Sequence, residues 1–376
     1  MEDKDTLAKN NISFTKKHTQ IAKGIAILLM VYHHLFVIPE RLNCAFFAIP
    51  NVFGYDVQSV IANFSKICVC IFVFLSGIGL FYSLSREKSI FAMYKKVGLK
   101  ALSFMMNFWV IALLVYPIGL MMGFFTLDFD CIIKVVFADY PSVMEWWFVR
   151  QYIVLLILAP ILVGVFSNKS YIGKVISVLI ICVFWLSIRL LIKYGYIDLN
   201  SIFISYFCYF ENIPCLLTFI VGIITAKFDL FSLYLNIPHN KLFSLLCVIM
   251  CCLCRFAFSN NPISMKVDFF VVPLFIFGTT TLIIKTNISK LLEYFAKHST
   301  NIWLTHTFWC YYFFQNIVIK PYYSILIYIW LLGLSLLSSY IINLIYVPIN
   351  NCLFSKEHKL SYENYFFDGE INEMLY

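Results

Sequence analysis

Apolar residues run along this chain in long blocks, broken by short polar stretches instead of alternating with them. A helix that crosses a bilayer needs about 17–25 mostly apolar residues. Blocks of that length predict ten spans, at 20–38, 61–83, 101–125, 147–166, 172–192, 203–227, 241–258, 268–285, 301–319 and 323–347. Glu211, Asn212 and Pro214 interrupt the sixth. Proline suits a first helical turn, so that span is expected to start near Pro214. The expected fold is all-α, a polytopic transmembrane helix bundle. Residues 1–19 form an N-terminal segment, 20–350 the transmembrane domain and 351–376 a polar tail.

Composition supports this class. The chain is 61% hydrophobic and 13% charged, against about 45–50% and about 25% for soluble domains. With the N-terminus inside, nineteen of the 28 lysines and arginines fall on cytoplasmic segments. The positive-inside rule therefore places both termini in the cytoplasm. The net charge of +8 sits in short loops with no basic tail. It fits an anionic leaflet or an anionic cytosolic ligand, and no nucleic-acid partner is expected. Thirteen cysteines lie mostly inside apolar runs. Neither a disulfide framework nor a metal site follows from their spacing. No cleavage site follows the first apolar block, so it is expected to remain as a span.

Ionisable groups inside a span are costly and survive mostly where they pair, face water or do chemistry. The first span carries Lys23, His33 and His34. Lys23 and His34 are eleven residues apart, about three helical turns or roughly 16 Å on one face. His33 points about 100° away from His34. An imidazole with a near-neutral pKa can accept and return a proton. A snorkelling lysine and two interfacial histidines are the plain alternative. Trp146, Trp147, Trp303, Trp309 and Trp330 fall near expected helix ends, where interfacial anchoring accounts for most of them. Glu40, Arg41, Glu145, Arg150, Arg189, Glu211, Arg255 and Asp268 fall towards the outer side, where snorkelling and ion pairing are the ordinary explanation. Ser76-Gly77 reads as a helix-packing site.

The run from Lys23-Gly-Ile-Ala-Ile to His34 resembles the opening of the membrane acyltransferase-3 family. Phe72-Val73-Phe74-Leu75-Ser76-Gly77 is similar to that family's aromatic run ending in Ser-Gly. Trp147-Phe148 resembles its Trp-Phe-Leu signature, and Phe219-Ile220-Val221-Gly222 its Phe-x-x-Gly run. Ser299 followed by Ile302-Trp303-Leu304-Thr305-His306 resembles its late Ser…Tyr-Leu-Ile-His motif. The matches occur in order over residues 15–350.

The resemblance implies an integral membrane O-acyltransferase in the plasma or inner membrane. It implies transfer of an acyl group, usually acetyl, from cytosolic acyl-CoA to a hydroxyl of an envelope polysaccharide or glycolipid. His34 matches the catalytic histidine, and Lys23 a position that is often arginine. Where the family carries two arginines three apart, this chain has Lys95, Lys96 and Lys100. Lysine keeps the charge but loses the bidentate fork. These lysines and His306 are the expected donor-binding residues. Trp147 and Arg150 are the expected acceptor-side residues, since a ring beside a cation suits a sugar. Acyl-CoA is a co-substrate here, with no metal, and a second copy or glycan-assembly proteins are conceivable partners. A transporter or flippase for a lipid-linked glycan or small solute is the alternative class, because ten spans with midplane charges also fit it. A glycan polymerase ranks third, since the outer loops are short.

Overall fold

The computed structural model describes residues 14–42, 56–138, 143–167, 213–257 and 267–354, with isolated positions between them. Those residues are overwhelmingly helical and contain no strand. The helices are α1 (Lys16–Phe36), α2 (Val57–Ser65), α3 (Cys68–Leu84), α4 (Ile90–Met121), α5 (Phe129–Phe137), α6 (Trp147–Ser167) and α7 (Ile213–Phe228). There follow α8 (Leu230–Leu235), α9 (Asn240–Ala257), α10 (Asp268–Ile283), α11 (Ile288–Thr307), α12 (Gln315–Val318) and α13 (Ser324–Leu353).

The expectation of ten spans is met only in part. Among the described residues five helical stretches are long and apolar enough to cross a membrane: Val57–Leu84, Ile90–Met121, Met144–Ser167, Asn240–Ala257 and Ser324–Leu353. The apolar stretches of α7 and α10, Cys215–Phe228 and Asp268–Ile283, are shorter. Helices α1 and α11 are long enough but carry more polar positions. The fifth expected span, the first half of the sixth, Arg189, Glu211 and the tail beyond 354 lie outside the described residues. Two boundaries move for a physical reason. Helix α4 starts at a Ser89 cap, whose Oγ accepts from the Ala92 N–H at 3.1 Å, so Lys95, Lys96 and Lys100 lie on the helix and not in a loop before it. Helix α11 starts at Ile288 and not near 301, because its first turns are polar yet still packed.

Thr15 and His18 form a reciprocal cap at the start of α1. At its other end, Pro39 follows Ile38, and the residue before a proline is disfavoured in helix. Helices α1 and α11 run parallel, joined near their starts by Lys17–Glu293 at 3.8 Å and near their ends by His34–His306. Their close approach depends on Gly24, where any Cβ would stand 2.2 Å from the Leu292 carbonyl oxygen. Gly77 on α3 and Gly222 on α7 interlock in the same way, each facing the other helix's backbone. The Ser-Gly motif is thus a packing site, as small residues in membrane bundles usually are.

The stretch 57–84 is broken at Lys66-Ile67, which leaves carbonyls at the end of α2 short of helical partners. His33 Nδ1 donates to the Ala62 oxygen at 2.8 Å. Arg255 Nη2 donates to the oxygens of Asn63 and Phe64 at 3.4 and 3.2 Å. Arg255 Nη1 also bonds both Asp268 carboxylate oxygens, at 2.9 and 3.1 Å. Arg255 and Asp268 are buried, so they do not snorkel; the expected ion pairing is what the structure shows. Inside a bundle a charge pair that also satisfies a helix break need not reach water. Removing one partner strands a buried charge. Asp268→Ala is expected to cost about 3–5 kcal/mol, read as a lower thermal midpoint in detergent, with Arg255→Met/Asp268→Leu recovering most of it.

Candidate active site

The parallel packing of α1 and α11 brings His34 and His306 together. His34 Nδ1 lies 2.6 Å from His306 Nε2, with the rings stacked at 4.9 Å. His306 is fully buried, while His34 keeps partial exposure. His306 Nδ1 lies 2.9 Å from both the Ile302 and Trp303 carbonyl oxygens. Carbonyl oxygens only accept, so His306 carries its proton on Nδ1. In neutral His306, Nε2 is then an acceptor, and the proton between the rings belongs to His34 Nδ1. Neutral His34 therefore holds its lone pair on Nε2, the form a general base needs. Two carbonyls of one helix turn thus set the tautomer of a residue on another helix.

His306 does not sit a turn into its span, at the donor end, as the sequence suggested. It closes α11, level with His34, because α11 begins thirteen residues early. The buried side chains preceding it are partnered. His298 Nδ1 pairs with Ser339 Oγ at 2.9 Å, and Asn301 Nδ2 donates to Asn343 Oδ1 at 2.9 Å. Asn107 Nδ2 donates to Asn301 Oδ1 at 2.8 Å. These bonds tie α11 to α4 and α13 and hold His306 in place.

A narrow cavity of about 50 Å³ opens between the helices. Its lining includes Met30, Ser76, Lys100, Tyr152, Ser299 and Trp303. Met30 and Trp303 lie one turn before His34 and His306, so the cavity reaches within a turn of the pair. Lys100 stands on its wall, near enough to Lys23 for the two ammonium charges to repel. Lys23 is only 4% exposed, so it does not snorkel. The other two basic candidates separate from this pair: Lys96 bonds Glu87 at 2.8 Å and the Ser83 carbonyl at 3.1 Å, and Lys95 is exposed. Trp303 is buried in the cavity wall, not anchored at an interface, since Phe104 stacks on it and Phe148 packs edge-on.

Beyond His34, Arg41 and Glu145, expected only as outer-side charges, meet in a cluster with two tyrosines that the sequence did not single out. Arg41 Nη2 bonds Glu145 Oε1 at 2.8 Å, and the Tyr312 hydroxyl donates to Glu145 Oε2 at 2.9 Å. The Arg41 guanidinium lies 3.7 Å from the centre of the Tyr311 ring. The Tyr311 hydroxyl bonds the His34 carbonyl. Partial burial opposes the charge on Arg41, but Glu145 outweighs it and raises the guanidinium further above its ordinary value. A π-helical turn at Phe308–Tyr312 turns both tyrosines towards this site; such turns occur frequently at functional sites. The only sequence signal was a pair of opposite charges in separate loops, Arg41 and Glu145.

Of the two acceptor-side candidates, Trp147 is half-buried and Arg150 is buried on α6. The neighbouring Trp146 is fully buried, its Nε1 donating to the Leu304 carbonyl at 3.0 Å. That contact, not interfacial anchoring, fixes Glu145 above the histidines.

The acyltransferase-domain profile of family 3 matches residues 20–344, most of the chain. The chain belongs to the acyltransferase-3 family. No curated protein and no solved structure matches it. The family makes the chain a membrane acyltransferase. The tautomer assignment is tested by nitrogen NMR of histidine-labelled protein. His34 is expected to show a protonated Nδ1 and a bare Nε2, and His306→Phe to mix the two forms.

Proposed function

We infer that this chain is an integral membrane O-acyltransferase that moves an acyl group, acetyl by family analogy, from cytosolic acyl-CoA to a hydroxyl of an envelope polysaccharide or glycolipid. The observation that carries the reading is a tautomer-fixed histidine one helical turn beyond a largely apolar cavity whose wall bears Lys100.

The acyl-CoA phosphates sit at the Lys23 and Lys100 end, taken as cytosolic, where ammonium groups attract them as point charges. Lys95 and Lys96 contribute at most to the field that draws the donor in. The pantetheine arm lies in the cavity, its amides meeting the hydroxyls of Ser76, Tyr152 and Ser299 within an aromatic sleeve. The thioester carbonyl then reaches His34. The acceptor hydroxyl gives its proton to His34 Nε2 as its oxygen attacks the carbonyl carbon. The new ester bond forms, the carbon–sulfur bond breaks, and the proton passes from His34 Nε2 to the leaving thiolate.

While His34 is charged, its Nδ1–H bond to His306 becomes charge-assisted, roughly twice as strong as a neutral one. His306 thus acts as a positioning residue and not as a donor ligand. General-base catalysis supplies about 10²–10⁴-fold, and positioning adds to it. A multi-pass protein of the plasma or inner membrane with both termini cytosolic fits this arrangement. A transport role finds less support, since it needs no base of fixed tautomer.

Two outcomes test the reading in reconstituted protein. His34→Ala is expected to lower acyl transfer from labelled acetyl-CoA by about 10²–10⁴-fold at unchanged protein level; undiminished transfer removes His34 from the chemistry. Lys100→Ala is expected to raise the KM for acetyl-CoA about tenfold, in line with one charge-assisted bond, and Lys100→Arg to restore most of it.

A further inference from the structure

We propose that the Glu145–Arg41–Tyr312 cluster is the acceptor-binding site, and that it selects an acceptor bearing several neighbouring hydroxyls over a simple alcohol. This rests on the acyltransferase reading of His34 and adds the residues that hold the acceptor and discriminate by its hydroxyls.

The cluster lies over His34 on the side away from Lys23, so an acceptor passing through it arrives opposite the thioester. It is joined to the base physically, since Tyr311 bonds the His34 carbonyl and carries the Arg41 guanidinium on its ring. The cluster is reachable: the Arg41 side chain is 36% exposed, although that of Glu145 is only 5% exposed. Tyr311, Tyr312 and Gln315 are half-buried around it. Gln315 Nε2 holds the Arg41 carbonyl at 2.7 Å, which fixes the backbone beneath the guanidinium.

The chemistry of these groups sets the acceptor class. An ionised carboxylate offers about four lone-pair sites, and two are taken here, by Arg41 and Tyr312. Two sites remain for an acceptor's hydroxyls, framed by Arg41 and Tyr312. A simple alcohol has one hydroxyl, which is committed to His34 Nε2. A sugar-like polyol has others to place on Glu145 and Tyr312, and Arg41 can donate to its oxygens. Sites built to bond a hydroxyl discriminate strongly against analogues that lack it.

The test uses the full chain in nanodiscs with labelled acetyl-CoA, and compares octyl glucoside with octanol as acceptors of matched tail. Wild-type protein is expected to transfer to octyl glucoside at least tenfold faster than to octanol. Glu145→Gln and Tyr312→Phe are each expected to lower transfer to the glucoside at least tenfold, mainly through its KM, and transfer to octanol less than threefold. A purely structural cap lowers both acceptors together, and that result overturns the proposal. So does wild-type transfer to neither acceptor, or equal transfer to both. Thioester hydrolysis without acceptor, compared between wild type and His34→Ala, reads the underlying acyl-transfer chemistry separately. A wild type that hydrolyses through His34 but ignores the hydroxyl count defeats only the acceptor assignment.

Discussion

The contact between His34 and His306 depends on how closely two parallel helices can approach. Helices α1 and α11 touch backbone to backbone because position 24 has no side chain. A side chain there would force the pair apart, and the imidazole pair could not hold its 2.6 Å separation. The tautomer argument, the level of the cavity and the place of the tyrosines above it all follow from that register.

A second constraint shapes the surroundings. In a lipid-embedded bundle no water stands by to satisfy stray backbone groups, so a break in a helix needs internal partners. The break between α2 and α3 shows how this is met, with His33 and Arg255 supplying the missing donors and Asp268 balancing the guanidinium. The polar face of α11 is partnered too, its His298 and Asn301 bonding to α13 and α4. These ties stiffen the helix that carries His306. A base must be held to within fractions of an ångström to work, and the polar network gives rigidity that apolar packing alone would not.

Charge is sorted along the molecule. Lys100 stands on the cavity wall, the imidazole pair lies a turn beyond Met30 and Trp303, and Arg41 and Glu145 lie past the end of α1.

The sequence by itself determined the class of the protein, since block hydropathy and sparse charge admit only a membrane-embedded helical chain. It also singled out His34 and Lys23, because ionisable residues in an apolar helix stand out wherever they occur, and it marked Gly77 as a packing position. It could not place His306, whose helix begins with charged turns that block hydropathy reads as loop. It could not separate Lys100 from Lys95 and Lys96, because helical phase matters only once a cavity exists to face. It took Trp146 and Trp303 for interfacial residues and could not name the partners of Arg255, Asp268 and Glu145, since burial of a polar or amphipathic side chain depends on a partner far away in the chain. Arg41 meets Glu145 across 104 positions and His34 meets His306 across 272. Contacts of that range leave no local periodicity, so only the tertiary structure decided them.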